Sequence, residues 1–152
     1  MKLKTASFED MMLYFIWAND SEVRQNSINK SPISFRDHQN WFSNKIKDSE
    51  TIFLIFEEDG VNVGQLRIDL NSKTGEAIIN FSIDKKERGK GLGTKMLILV
   101  NEYYTKLNLP LKLIGYVKFD NKASSKAFEK AGFKLQKEYK SIQGEPYWEY
   151  RK

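Results

Sequence analysis

Hydrophobic positions change their period several times along the chain, and each change marks a new element. A short β-like segment near the N-terminus is followed by Ser7-Phe8-Glu9-Asp10, a capping-box pattern. It opens a helix carrying Met11, Met12, Phe15 and Ile16 toward Trp17. From Asn19 to Ser31 the chain is polar and too short of apolar residues for a core element. Pro32 precedes a second capping pattern, Ser34-Phe35-Arg36-Asp37. The helix after it presents Phe35, His38, Trp41, Phe42 and Ile46 on one face.

The period then shortens. Thr51 to Glu57 is rich in β-formers, Asp59-Gly60 is a hairpin signal, and Val61 to Leu70 is the next strand. Asn71 to Gly75 turns the chain into Glu76 to Asp84, giving three consecutive antiparallel strands. A helix from about Thr94 to Lys106 is expected to bury Met96, Leu97, Val100, Tyr103 and Leu107, and Pro110 stops it. Leu111 to Val117 is a further strand. Asp120 or Asn121 caps a last helix whose Ala123, Ala127, Phe128 and Ala131 form a stripe ending at Gly132. Strands Phe133 to Tyr139 and Tyr147 to Lys152 close the chain around Gly144-Glu145-Pro146. The order is β-α-α-β-β-β-α-β-α-β-β: one α/β domain over residues 1–152, with a mixed, mainly antiparallel sheet.

Composition sets limits on this picture. At 152 residues the chain can bury a core without staples. With 40% hydrophobic and 13% aromatic residues it is a folded globule rather than a disordered chain. It has no cysteine, which excludes disulfides, thiolate zinc sites and a cysteine nucleophile, and no metal is expected. Met1-Lys2-Leu3-Lys4-Thr5 lacks the apolar stretch of a signal peptide and no run approaches membrane-spanning length, so a cytoplasmic protein without a membrane partner is expected. The net charge of +5 is spread along the chain with no arginine-rich arm, so no nucleic-acid partner is expected.

Candidate chemistry concentrates in Arg88-Gly89-Lys90-Gly91-Leu92-Gly93-Thr94, a glycine turn between a strand and a helix. Glycines let several N–H groups approach a ligand, and the helix N-terminus adds unpaired donors and a positive dipole end. Lys86, Arg88, Lys90 and Lys95 add positive charge, so the turn is suited to phosphate. No register of it supplies the Gly-x-x-x-x-Gly-Lys-Ser/Thr of a Walker loop. Nor does its Gly-x-Gly-x-Gly, placed after antiparallel strands, match the dinucleotide pattern.

The turn does fit Arg/Gln-x-x-Gly-x-Gly/Ala, through Arg88, Gly91 and Gly93, and this resembles the acetyl-CoA pyrophosphate loop of the GNAT N-acetyltransferase superfamily. Asn121 to Phe133, with Glu129-Lys130-Ala131-Gly132-Phe133, is similar to that family's Asn-x-x-Ala/Ser…Glu-Lys-x-Gly-Phe segment. Trp17-Ala18-Asn19-Asp20-Ser21-Glu22-Val23-Arg24 resembles a stretch of one GNAT branch, which includes ribosomal-protein N-terminal acetyltransferases and the amino-sugar acetyltransferases of pseudaminic acid biosynthesis. Pro32-Ile33-Ser34 and His38-Gln39-Asn40-Trp41-Phe42 look like the sugar-modifying members.

The resemblance implies a three-layer fold: a sheet of about seven strands with helices on both faces. It also implies transfer of acetyl from acetyl-CoA directly to a primary amine, with a nucleotide-linked amino sugar favoured. The cosubstrate would be held by Phe81, Ile83, the main chain of Arg88, Gly89, Lys90, Gly91, Leu92, Gly93 and Thr94, and by Asn121, Ser124, Lys126 and Phe128. Ile83 would also polarise the thioester from its N–H. Trp17, Asn19, Arg24, His38 and Trp41 are the expected acceptor-site residues, the alternatives being core or pocket wall for Trp17 and Trp41, a packed, hydrogen-bonded histidine at His38 and a solvent-facing Arg24.

Glu76 is the family-like general base, with Asp69 and Asp84 as other carboxylates. Many members carry a tyrosine acid in the last helix where this chain has Phe128. Tyr147 is the leading substitute, with Tyr116 and Ser125 available. Restoring the hydroxyl with Phe128→Tyr would raise kcat if the acid is simply missing. Two rivals stand beside the sugar reading: N-terminal acetylation of a protein, and a non-catalytic acyl-CoA-binding domain. An open sheet edge near the C-terminal strands would suit a homodimer.

Overall fold

Phe53-Leu54-Ile55-Phe56 is apolar at every position and buried at every position, so this strand must be covered on both faces. The computed structural model, which describes all 152 residues, meets that demand with helices on each side of a single sheet. The strands are β1 (Lys2–Thr5), β2 (Thr51–Glu58), β3 (Val61–Asn71), β4 (Glu76–Ile83), β5 (Lys112–Lys118), β6 (Lys134–Leu135), β7 (Lys140–Ile142) and β8 (Glu145–Arg151). Their order across the sheet is β1-β2-β3-β4-β5-β8-β6, with β7 paired to β8. Every pairing is antiparallel except β4 with β5.

Helices α4 (Leu92–Leu107) and α5 (Lys122–Lys130) cover one face, where Leu54, Phe56, Leu66 and Ile79 meet Met96, Leu97, Val100 and Phe128. Helices α1 (Met11–Ala18) and α3 (Phe35–Lys45) cover part of the other, packing Tyr14, Trp17 and Phe42 on Phe53 and Ile55. Ser34 Oγ caps α3 by accepting from the Asp37 N–H at 3.1 Å.

The sheet has eight strands rather than seven. Phe133 to Tyr139 pairs only at Lys134 and Leu135, and Lys140–Ile142 forms a separate hairpin arm on β8. The C-terminal edge is therefore short. Inside α4 the buried tyrosine is Tyr104, whose hydroxyl donates to the Leu111 carbonyl, while Leu107 is exposed. In α1 the buried face is Tyr14 and Trp17; Met12 and Ile16 point to solvent.

The polar stretch after Asn19 contains a helix that no apolar periodicity announced: α2 (Ser21–Asn26), none of whose residues is buried. Asp20 caps it, accepting from the Val23 N–H at 3.3 Å. Polar anchoring, not a hydrophobic face, holds it in place.

Candidate active site

The single parallel pairing ends early. β4 and β5 are in register from Glu76 opposite Lys112 to Ile79 opposite Gly115, and then they part. β4 continues through Asn80 to Ile83 on β3, while Tyr116 to Lys118 pair with β8. The Asp84 N–H bonds the Val63 carbonyl on β3, so by strand alternation Ser82 and Asn80 also face β3. The main chain of Phe81 and Ile83 faces the gap. One of these groups is already taken, because the Ile83 carbonyl accepts from Arg88 Nε at 3.0 Å. Phe81 offers N–H and C=O; Ile83 offers its N–H alone. The cleft that opens here holds about 1010 Å³.

At its mouth Gly91 caps α4 in the left-handed conformation, φ 73°, and no side chain closes the helix end. The Lys95 N–H bonds the Gly91 carbonyl, which leaves the N–H groups ahead of it without intrahelical acceptors. Gly89 is also left-handed, φ 78°. Gly93 is different: a Cβ there would lie 3.5 Å from Phe81 Cε2, an ordinary contact.

The basic residues of the loop are mostly paired. Arg88 meets Asp20 at 2.7 Å and Glu22 at 2.8 Å, Lys90 meets Glu87 at 2.7 Å, and Lys95 meets Glu58 at 3.4 Å. Unpaired positive charge comes instead from Lys126 and Lys130 of α5, which line the opposite wall beside Ser124 and Asn121. Asn121 is the α5 cap, accepting from the Ser124 N–H at 3.1 Å.

Phe128 also borders the cleft, yet its ring is core. It stacks on Tyr150 and its Cζ faces the Gly115 backbone so closely that no side chain fits at 115. Phe128 itself carries no hydroxyl, so this position supplies no acid to the cleft it borders.

Across the sheet, Arg67, Asp69, Asn80 and Tyr116 line a polar face of the cleft. Asp69 Oδ2 accepts from Arg67 Nε at 3.0 Å and Asn80 Nδ2 at 3.1 Å, while Oδ1 is buried with no partner. Tyr147 reaches the same cleft with a buried hydroxyl that also lacks a partner. Burial, reinforced by the Glu145 charge, pushes that phenol above its usual range. Glu76 sits at the paired end of β4, about 13 Å along the strand from Asn80 at ~3.3 Å per residue. It is outside the cleft lining and reaches it only through Tyr116, whose hydroxyl lies 3.4 Å from Glu76 and 3.1 Å from Glu149. Asp84 is occupied too, accepting from Trp17 Nε1 at 2.9 Å, which with the Lys86 N–H holds its carboxyl low.

The acceptor-site residues of the N-terminal third divide. Trp17 is buried and bound to Asp84, away from both cavities. Asn19 clamps Ile33 through both its N–H and its C=O, at 2.7 and 2.9 Å. Neither faces a ligand, so both expectations are corrected. Arg24, His38 and Trp41 do border a second cavity of about 360 Å³, with Ala18, Ile33, Asp37 and Arg67. Arg24 and Arg67 line both cavities. Arg24 donates to the carbonyls of Ala18 and Asn29 and to Ser27 Oγ, so its charge has no counter-ion. His38 Nε2 donates to the Met11 carbonyl at 3.1 Å, and burial depresses its pKa.

Three participants escaped the sequence: Arg67 and Asn80, whose strand-face placement appears only once the register is known, and Lys118. The last is a buried lysine paired with Glu145 at 2.9 Å and donating to the Gln25 carbonyl. No group of three or more histidine, cysteine or carboxylate side chains gathers to hold a metal.

Residues 1–134 match the family model described as an acetyltransferase (GNAT) domain. No curated protein matches the chain by sequence. Among solved structures, an aminoglycoside acetyltransferase in complex with ribostamycin and coenzyme A superposes with a TM-score of 0.86 at 17% identity, over 99% of this chain and 92% of that one. The spermidine N-acetyltransferase of Vibrio cholerae in complex with CoA and spermine gives 0.81 at 18%, over 99% and 92%. RimL, a ribosomal-protein α-N-acetyltransferase in complex with coenzyme A, gives 0.82 at 13%, with the same coverage. At these identities the likeness is one of fold.

Proposed function

The chain belongs to the GNAT acetyltransferase family, and we propose that it moves an acetyl group from acetyl-CoA to the primary amine of a nucleotide-linked amino sugar. The observation that carries the donor half is the open edge of β4. Phe81 and Ile83 present main-chain groups to a gap that ends at an uncapped helix N-terminus. A pantetheine arm fits that edge as a substitute strand, and pyrophosphate suits the free N–H groups around Gly91 and Leu92. Lys126 and Lys130 add charge on the facing wall. A β4 N–H aimed at the thioester oxygen stabilises the tetrahedral oxyanion, an effect worth about 3 kcal/mol for one well-placed donor.

Asp69 is the group best placed for the acceptor amine. The residue lines the cleft and its Oδ1 has no hydrogen-bond partner, which suits a protonated amine that must lose a proton before it attacks. Once the amine nitrogen bonds the carbonyl carbon, the C–S bond breaks and the thiolate takes a proton. Tyr147, held in its protonated form by burial, has the free hydroxyl for that transfer.

The second cavity supports the sugar nucleotide. Arg24 brings an uncompensated guanidinium and Trp41 an aromatic wall, and both guanidinium groups there also border the acetyl-transfer cleft. A phosphate-bearing group could lie at Arg24 while the amine reaches Asp69.

Thiol release from acetyl-CoA, measured over UDP-amino sugars, spermidine, an aminoglycoside and N-terminal peptides, tests it. The expected result is a kcat/KM for an amino-sugar nucleotide about a hundredfold above the others. A preference for a peptide or polyamine overturns the acceptor. No CoA binding at micromolar concentration overturns the donor as well.

A further inference from the structure

Arg88 stands where the loop motif suggests a phosphate ligand, but its guanidinium turns the other way. Nε donates to the Ile83 carbonyl at 3.0 Å, Nη1 to Glu22 at 2.8 Å and Nη2 to Asp20 at 2.7 Å. One side chain therefore joins the end of β4, the glycine loop and the first turn of α2. We propose that Arg88 is a positioning residue that fastens the acceptor-side wall to the donor loop, so that both halves of the cleft are set by one ion-pair cluster.

The reason lies in α2 itself. Helices this short are marginal without outside support, and α2 buries none of its residues. Yet α2 and the segment after it, Glu22 to Asn29, form one wall of the cleft. That wall has three polar moorings. Arg24 holds its middle to Ala18 and Asn29, and Lys118 holds Gln25. Only Arg88 ties its N-terminus to the donor side. Asp20 is the helix cap and the Arg88 partner at once, so the same carboxylate starts α2 and moors it.

Without the guanidinium, Asp20 and Glu22 would be left as neighbouring negative charges beside a site meant for phosphate. A lysine cannot replace it, because three acceptors in three directions need the guanidinium fork. Burial disfavours the charged form of Asp20, but its bonds to Arg88 and Val23 outweigh that and hold the carboxyl below its ordinary range.

The inference rests on the acetyltransferase reading, and its test separates the two. Arg88→Gln, Glu22→Gln and the double variant are compared for CoA binding by calorimetry and for KM of the best amine acceptor. Each single variant should raise the acceptor KM at least fivefold with the CoA Kd changed less than twofold, and the double variant should be no worse than the worse single. A tenfold loss of CoA affinity in Arg88→Gln with the acceptor KM unchanged makes Arg88 a phosphate ligand and overturns the proposal. Additive effects overturn it too.

Limited trypsin digestion gives a readout that needs no activity. Cleavage at Arg24 and Lys30 should be about tenfold faster in Arg88→Gln than in the parent protein. Unchanged cleavage rates overturn the mooring even if no acceptor amine is found. Failure of the parent to bind CoA, with faster cleavage in the variant, would instead reject the acetyltransferase reading and leave the mooring intact.

Discussion

The donor wall and the acceptor wall of the cleft are built on opposite plans. On the donor wall the motif residues withdraw: Gly89 and Gly91 contribute no side chain, and Arg88 turns its own away, leaving main-chain N–H groups at the surface. On the acceptor wall the motif residues are bulky and polar, and several are used up inside the fold. Trp17 holds Asp84 and Asn19 holds Ile33, while Arg67, Asp69 and Tyr147, none of them part of a sequence motif, line the cleft instead. A short pattern can therefore mark a ligand contact or the pins that hold a scaffold. The residue type separates the two: a glycine at positive φ exposes backbone, whereas a buried tryptophan with a satisfied N–H supports its neighbours.

The largest effect expected of that contrast is at Gly91. Valine there must adopt a left-handed conformation that costs about 1–2 kcal/mol and is worst for a β-branched residue. The start of α4 should shift, with kcat/KM for acetyl-CoA falling about a hundredfold, the loss that ~2.7 kcal/mol of binding implies. Gly93→Ala is the control, since its Cβ has room and an ordinary φ. Equal losses in the two variants would mean that the ligand approaches Gly93 as closely as Gly91.

Trp17→Phe should remove about 2 kcal/mol of stability in urea unfolding, because it strands the partly buried Asp84 carboxylate. The acceptor KM should stay within twofold. A raised KM at unchanged stability would return Trp17 to the acceptor site and break the comparison.

Phe128→Tyr should leave kcat within twofold, because Tyr147 already brings a hydroxyl without a partner to the same cleft. A rate increase would show that the ring can swing its hydroxyl into the cleft.

The smallest effect is with pH. Burial lowers the folded-state pKa of His38, so the unfolded chain binds more protons as acidity rises. The associated stability is complete above the unfolded value of about 6.5 and is lost as pH falls through the lower folded value. His38 is the only histidine, so urea midpoints taken from pH 7.5 to 5 should fall, and His38→Gln should flatten the slope.

Elements with their own period or punctuation were legible in the sequence. The hairpin at Asp59-Gly60, the strand through Ile83 and the helix after the glycine turn all lie where hydrophobic spacing puts them. α2 was not legible because its cap at Asp20 is local but it has no apolar face, and an arginine and a lysine from elsewhere in the chain support it. Nor was the buried set of α4 fully legible. Tyr103 and Tyr104 are adjacent, and only the Leu111 carbonyl decides which one turns inward. The donor loop could be found because backbone chemistry needs glycines in sequence. The polar face was legible only as separate residues, Asp69, Tyr116 and Tyr147, because Asp69 and Asn80 become neighbours only through the β3–β4 register.

The parting of β4 from β5 also gives the molecule an edge in the middle of its sheet. Natural sheets shield their outer edges with short strands and charge, as β6 and β7 do here, but an interior gap has no such protection. A cosubstrate lying along Phe81 and Ile83 would act as the missing strand. Its concentration would then set resistance to unfolding and proteolysis as well as rate, by simple mass action. Depleting the donor would leave the sheet open at its centre, making the lifetime of the protein itself a reading of how much acetyl donor is present.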